Sequence, residues 1–170
     1  AFTPEQSISH SITTYAAQNR GAGKENRIIK GFRQGLFLEF LYGVVICTTV
    51  LVLNKFLVSL FIKDENAENI IMQGSRYLTT MAFFYFLPAF TNGIQGFFRG
   101  MGKMQVTLTA TFIQTSLRVL FTVILIPHLG IYGISFACAI GWSIMLMYEV
   151  PYYFWFVKKR KSMSASAEGY

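Results

Sequence analysis

The chain is 170 residues long, 53% of them hydrophobic and only 14% charged, where a soluble domain carries roughly 25% charge; its mean hydropathy is +0.43. That balance excludes an ordinary water-soluble globule and points to a membrane protein. A formal net charge of +7 would bring nucleic acid forward as the partner of a soluble domain, but in a membrane protein the placement of charge is what informs, and no nucleic-acid partner is expected.

The opening, "PEQSISHSITTYAAQN", is polar, with Ser7, Ser9, Ser11, Thr13 and Thr14. Pro4 and Glu5 suit a helix start, and Gly21 or Gly23 suits its end, because glycine accepts the left-handed conformation after a helix C-terminus. A helix is expected over 5–19, the end of a span whose beginning is not in this sequence; its small hydroxylated side chains suit helix packing better than lipid. The start at Ala1, with neither Met nor a basic stretch ahead of an apolar one, reads as a fragment and not as a signal peptide. One flank of the bundle is therefore expected to expose small and polar side chains, Ser7, Ser11 and Gln18 among them.

Four apolar stretches follow, at about 35–62, 77–98, 106–129 and 131–157. Each meets the ~20 residues a helix needs to cross a ~30 Å hydrocarbon core, and none breaks into the polar face of a soluble helix. Residues 1–161 are thus expected to form one transmembrane bundle, with 162–170 a disordered tail. Cys47 and Cys138 each sit inside an apolar stretch and read as buried small hydrophobes, with no ligand spacing around them.

The basic residues separate by side. Arg20, Lys24, Arg27, Lys30 and Arg33 precede the first stretch, Arg99 and Lys103 follow the second, and Lys158, Lys159, Arg160 and Lys161 follow the fourth; Lys63 and Arg76 alone occupy the opposite loops. Cytoplasmic loops carry the Lys/Arg excess. The loops at 20–33 and 99–105 and the C-terminus are therefore expected in the cytoplasm, and 63–76 and the Pro127–Gly133 turn outside.

Two of these loops share the pattern Arg-Gly-x-Gly-Lys, at Arg20–Lys24 and Arg99–Lys103. A nucleotide-binding loop needs four residues between its first Gly and the Gly-Lys pair, then Ser or Thr, and a strand in front. Here Glu25 and Met104 follow the lysines and a helix precedes each loop. The pattern instead reads as a tight reversal at a helix C-terminus, with cations meeting the negative end of the dipole and the anionic leaflet.

"AAQNRGAGKENR" resembles the Gln-Asn-x-Gly-Ala-Gly signature of multidrug and toxic compound extrusion (MATE) transporters, on Gln18, Asn19, Gly21, Ala22 and Gly23. "GFFRGMGK" resembles the end of their tenth helix and "GIYGISFACAIGW" the start of their twelfth. The resemblance implies an all-α, polytopic membrane bundle: the partial C-terminal lobe of a twelve-helix transporter, from the end of helix eight through helix twelve, whose partner is the N-terminal half of the same chain. It implies export of amphipathic or cationic small organic compounds across the plasma membrane, by antiport with Na⁺ or H⁺ and without a further cofactor, and no enzymatic activity.

Polar groups at depth are the candidate functional residues. Arg118 lies roughly 18 Å from either end of its stretch at 1.5 Å per residue, and an ionisable group there needs a partner or water. Glu149 and Glu39 lie roughly 12 Å in from the cytoplasmic side, and Arg118 is expected to pair with one of them. Lys55, near the outer boundary, is expected to snorkel. In "FFYFLPAFTNGIQGFF" Pro88 predicts a kink, and Asn92 and Gln95 share a helical face, so that with Gln114 and Arg118 they are candidates to line a substrate or ion cavity. The aromatic residues Phe83, Phe84, Tyr85, Phe86 and Phe90 face either that cavity, as cation-binding rings, or lipid. His10 and His128 have no companions for catalysis or a metal. In the family an acid of the first helix commonly binds the coupling ion, and many members carry acids in the seventh and tenth; the stretch at 77–98 has none, so the ion is unassigned. The alternatives are a lipid-linked oligosaccharide flippase of the same superfamily, for which Arg118 would be the one deep cation, and a non-transporting membrane subunit.

Overall fold

The computed structural model describes residues 2–60 and 68–167. They form six helices: α1 (Phe2–Gly21), α2 (Glu25–Ser59), α3 (Glu68–Phe84), α4 (Phe86–Gly100), α5 (Met104–Leu129) and α6 (Ile131–Ala167). Three are long and apolar enough to cross a membrane: α2, α5 and the Ile131–Arg160 part of α6. α3 and α4, of 17 and 15 residues, follow one another through the stretch read as the second span. The interruption falls at Tyr85, whose N–H bonds back three residues to Ala82 while its own dihedrals stay helical (φ −64°, ψ −20°). Pro88 accounts for it: proline lacks the N–H and crowds the carbonyl four residues earlier, that of Phe84.

The helices are longer and the connections shorter than their composition implied. The basic loop expected at 20–33 is a three-residue turn, and Glu25–Arg33 are already the first turns of α2. Likewise α3 begins at Glu68, nine residues before the expected start, and 101–103 alone separate α4 from α5. Hydropathy marks where a helix enters lipid, whereas its hydrogen bonds continue until a breaker appears. The same reason corrects the tail. Residues 162–167, expected to be disordered, continue α6, because Ser, Met and Ala offer no breaker; 168–170 lie outside the described residues, as do Lys63, Asp64 and Glu65 of the opposite loop.

The two Arg-Gly-x-Gly-Lys copies adopt one geometry. Lys24 N–H donates to the Asn19 carbonyl at 2.9 Å and Gly23 N–H to that of Arg20 at 3.1 Å; Lys103 N–H donates to Phe98 at 2.8 Å and Gly102 N–H to Arg99 at 3.0 Å. Gly23 and Gly102 have φ of 69° and 70°, which makes each turn a Schellman cap with the glycine its left-handed residue. Both turns lie at the same end of the bundle, since the Arg20 guanidinium rests against Gly102. Gly23→Ala and Gly102→Ala are each expected to cost roughly 1–2 kcal/mol, measured as similar drops in thermal midpoint. The methyl added at Gly102 also meets Arg20, but at the far end of a flexible side chain that can swing aside.

α1 is held between α2 and α4. It runs parallel to α4, where Gly96 and Gly100 leave no side chain between the backbones: a Cβ at Gly96 would stand 2.5 Å from the Ser9 carbonyl oxygen, and one at Gly100 2.5 Å from that of Thr13. The space admits a hydrogen bond from Thr13 Oγ1 to the Gly96 carbonyl at 3.0 Å. This is the small-residue packing by which helices associate where lipid removes the hydrophobic drive. On its other side α1 meets Gly31 and Gly35 of α2 through Tyr15 and Ile12. Beneath this seam the core gathers at the basic end: Phe32, Phe97 and Tyr153 pack in tilted and edge-on contacts with centroids 4.8–5.1 Å apart, and Phe98 and Phe156 join them. The outer face of α1 exposes Ser7, Ser11, Thr14 and Gln18, a polar row one helical turn apart on the flank where it was expected.

Candidate functional site

Above the aromatic core α4, α5 and α6 separate around an open cavity of about 250 Å³. Asn92, Gln95, Gln114 and Arg118 all line it, joined by Thr111 of α5, Trp142 and Met145 of α6 and Gln6 of α1. Gln95 Nε2 donates across the gap to Thr111 Oγ1 at 3.3 Å and approaches Met145 Sδ at 3.9 Å. Gln114 is buried and accepts from Thr115 through Oε1 at 3.3 Å. Gly141 of α6 packs on Gln114, so the α5–α6 hairpin is tight at this level. The arrangement offers amide donors and acceptors, one guanidinium and one indole face, with apolar helix between them.

Arg118 does not pair with Glu149 or Glu39. Among the described residues the one salt bridge joins Arg160 to Glu25, and both oxygens of Glu39 and of Glu149 are buried without a hydrogen bond. The reason is register. Arg118 shares a second cavity with Tyr77 and Cys138, and Cys138 lies eleven residues before Glu149 on α6, about 16 Å along the axis. Glu39 is out of reach for another reason: it belongs to α2, which does not pack on α5. It lies instead over Gly93 of α4. Next to that glycine, Asn92 Nδ2 donates to Glu5 Oε2 at 3.4 Å, so α4 carries two buried carboxylates, from α1 and α2, on adjacent residues. Glu149 has Gln95 as its polar neighbour.

The signature residues serve a different place. Gln18 is exposed, Asn19 is buried with its Nδ2 donating to the Tyr15 carbonyl at 2.9 Å, and Gly21, Ala22 and Gly23 complete the first turn; they build the basic end and do not line the cavity. The aromatic residues near Pro88 do not line it either: Phe83 and Phe86 are exposed, Phe84 packs on Phe136 and Phe90 on Phe40. Among the described residues no group of three or more His, Cys, Asp or Glu side chains could hold a metal ion.

The family profile described as MatE matches residues 1–124. The chain belongs to the MatE family. This MatE chain is 28% identical over 166 residues to the probable multidrug resistance protein YpnP of Bacillus subtilis (strain 168), covering 97% of the chain and 36% of that relative. It is 28% identical over 153 residues to the probable multidrug resistance protein NorM of Halalkalibacterium halodurans, covering 85% of the chain and 32% of the relative. It superposes with a TM-score of 0.80 and 19% identity on an inward-facing multidrug resistance MATE family transporter of the MOP superfamily, over 87% of the chain and 33% of that structure. A MATE crystal structure in a bent conformation also gives 0.80, at 20% identity over 91% of the chain and 34% of that structure. The chain thus has the MATE fold and spans about a third of the length of the relatives it matches.

Beside Glu5, the cavity residues Gln6, Thr91, Thr111, Trp142 and Met145 were not singled out from the sequence. A signal for the latter two was present. Cys138, Trp142, Met145 and Glu149 fall at i, i+4, i+7 and i+11, as do Thr107, Thr111, Gln114 and Arg118 on α5 and Pro88, Asn92, Gln95 and Arg99 on α4. That spacing is one face of a helix, and from these rows Trp142 and Met145, Thr111, Gln114 and Arg118, and Pro88, Asn92 and Gln95 line the cavity. Glu5 had no such signal, because an acid in the first turn already has a sufficient reason to be there.

Proposed function

We propose that this chain is the C-terminal part, from the end of helix eight through helix twelve, of a secondary active efflux transporter that exports amphipathic or cationic organic compounds by Na⁺ or H⁺ antiport, with alternating access of a central cavity. The observation that carries the proposal is the convergence of Asn92, Gln95, Gln114 and Arg118 on one open cavity inside an apolar bundle of MATE fold. A few fixed polar groups in an otherwise apolar recess are what a small-molecule site requires, and the Trp142 ring adds a face that attracts organic cations. The names of YpnP and NorM, each a probable multidrug resistance protein, support that substrate class.

Coupling is assigned to the carboxylates. An ionised group in a membrane interior costs about 2.5–3.5 kcal/mol on insertion scales, and among the described residues Glu39 and Glu149 have no cation to offset it, Glu149 having only the Gln95 amide beside it. That marks them, with Glu5, as the groups of this region that take up the coupling cation. The bundle is placed in the cell membrane with both Gly turns and the end of α6 cytoplasmic. The Arg20–Gly102 contact and the Arg160–Glu25 pair support one side for all three, and the Lys/Arg excess selects the cytoplasm.

The test is dye export from cells expressing the protein. Extrusion of a fluorescent organic cation is expected to stop when the sodium and proton gradients are both collapsed, and to fall sharply in Gln114→Leu/Arg118→Ala at unchanged expression. Export that continues without either gradient would remove the antiport proposal.

A further inference from the structure

The basic end holds a second recess that shares no lining residue with the cavity above. It measures about 280 Å³ and is formed by Lys103, Tyr152, Trp155, Phe156, Lys159 and Arg160. Arg160 is already engaged: it pairs with Glu25 of α2, lies over the Phe156 ring and points a nitrogen at Met101 Sδ. Lys103 and Lys159 are exposed and have no acidic partner among the described residues. Lys159 Nζ stands 5.2 Å from the centroid of Trp155, which in turn packs on Tyr152 at 5.4 Å. Lys103 immediately precedes α5, whose first turn has no acidic residue and no side-chain cap, so the positive end of that helix dipole faces the same space.

An apolar row starts next to Lys103 in the chain and continues along α5. Met104, Leu108 and Phe112 follow one another at single helical turns and are 57%, 66% and 74% exposed. A soluble anion has no use for such a row, whereas acyl chains do. Trp and Tyr beside lysines at the end of a membrane helix mark the headgroup level.

We propose that the recess between Lys103, Trp155 and Lys159 binds the phosphate headgroup of an anionic phospholipid, with its acyl chains lying along Met104, Leu108 and Phe112. The two lysines and the α5 N-terminus take the phosphodiester. The one carboxylate at this wall, Glu25, is held by Arg160, so a zwitterionic headgroup finds no anion for its ammonium and is disfavoured.

Trp155 supplies the readout, because the chain has two tryptophans and Trp142→Phe leaves it alone. The protein in neutral detergent is titrated with phosphatidylglycerol, with phosphatidylcholine, or with inorganic phosphate. Phosphatidylglycerol is expected to change Trp155 fluorescence saturably, at least tenfold more tightly than phosphatidylcholine, and phosphate to leave it unchanged. Lys103→Gln/Lys159→Gln is expected to weaken the lipid response roughly 30-fold, the contribution of two cations at an anionic surface, while Lys55→Gln at the far end of α2 is expected to leave it intact. Equal responses to the two lipids, an unweakened double variant, or saturation by inorganic phosphate alone would each overturn the assignment.

Discussion

Gly96→Val is expected to separate α1 from α4 and to lower stability by about 3 kcal/mol, the upper part of the usual overpacking range. The added Cβ would stand 2.5 Å from the Ser9 carbonyl oxygen and 2.9 Å from its hydroxyl. The obstacle is backbone, so no rotamer relieves it and α1 itself must move. Its retreat is blocked by α2, where Tyr15 and Ile12 already fill the space over Gly31 and Gly35. Moving α1 also breaks the bond from Thr13 Oγ1 to the Gly96 carbonyl and the one from Arg99 Nη2 to Ser9 Oγ at 2.8 Å. In a Cys47→Ser background, labelling of the buried Cys138 by a thiol-reactive fluorophore during a thermal ramp reads the loss. Gly21→Ala is the control: nothing lies within 4 Å of its Cβ position and its φ is not positive, so its midpoint is expected to hold or rise slightly. A Gly96→Val midpoint equal to that of Gly21→Ala would mean that the α1–α4 seam is not close-packed.

Glu149→Gln and Glu39→Gln are expected to abolish gradient-driven export while leaving thermal stability equal or higher. Both carboxylates are fully buried, neither pairs with a cation among the described residues, and Glu149 has only the Gln95 amide beside it. Removing a buried charge that has no counter-ion while keeping the shape therefore discards a desolvation cost and breaks no ion pair. A residue kept only for packing would show neither loss of transport nor gain in stability. One kept for an ion pair would lose stability on substitution, since its partner would be stranded. The two measurements thus separate three roles, and a fall in stability with export intact would refute the coupling assignment for that residue.

Much of the bundle could be read without coordinates because lipid makes the reading simple. A span must be apolar along its length and close its own hydrogen bonds, so runs of hydropathy located α2, α5 and α6, and Pro88 announced a break between α3 and α4. The paired glycine turns were legible for a similar reason: a left-handed residue after a helix nearly demands glycine, and both copies contain it at the same offset. Charge sidedness grouped the basic segments that Arg20 on Gly102 and Arg160 on Glu25 then bring together in space.

What composition and local chemistry determined, then, was the order of the apolar stretches, the glycine turns and the polar side chains at depth that had to be accounted for. Only the tertiary structure decided which of those side chains meet. Depth along a helix is a local property, countable at 1.5 Å per residue, but partnership depends on which helices are neighbours and on their axial register, which no single segment encodes. Arg118 at roughly 18 Å and Glu39 and Glu149 at roughly 12 Å lay close enough in depth to suggest a pair. The packing of α1 into the glycine seam and the tight α5–α6 hairpin turned the guanidinium toward a cavity lined by Asn92, Gln95, Gln114 and the Trp142 indole, and left the carboxylates without it.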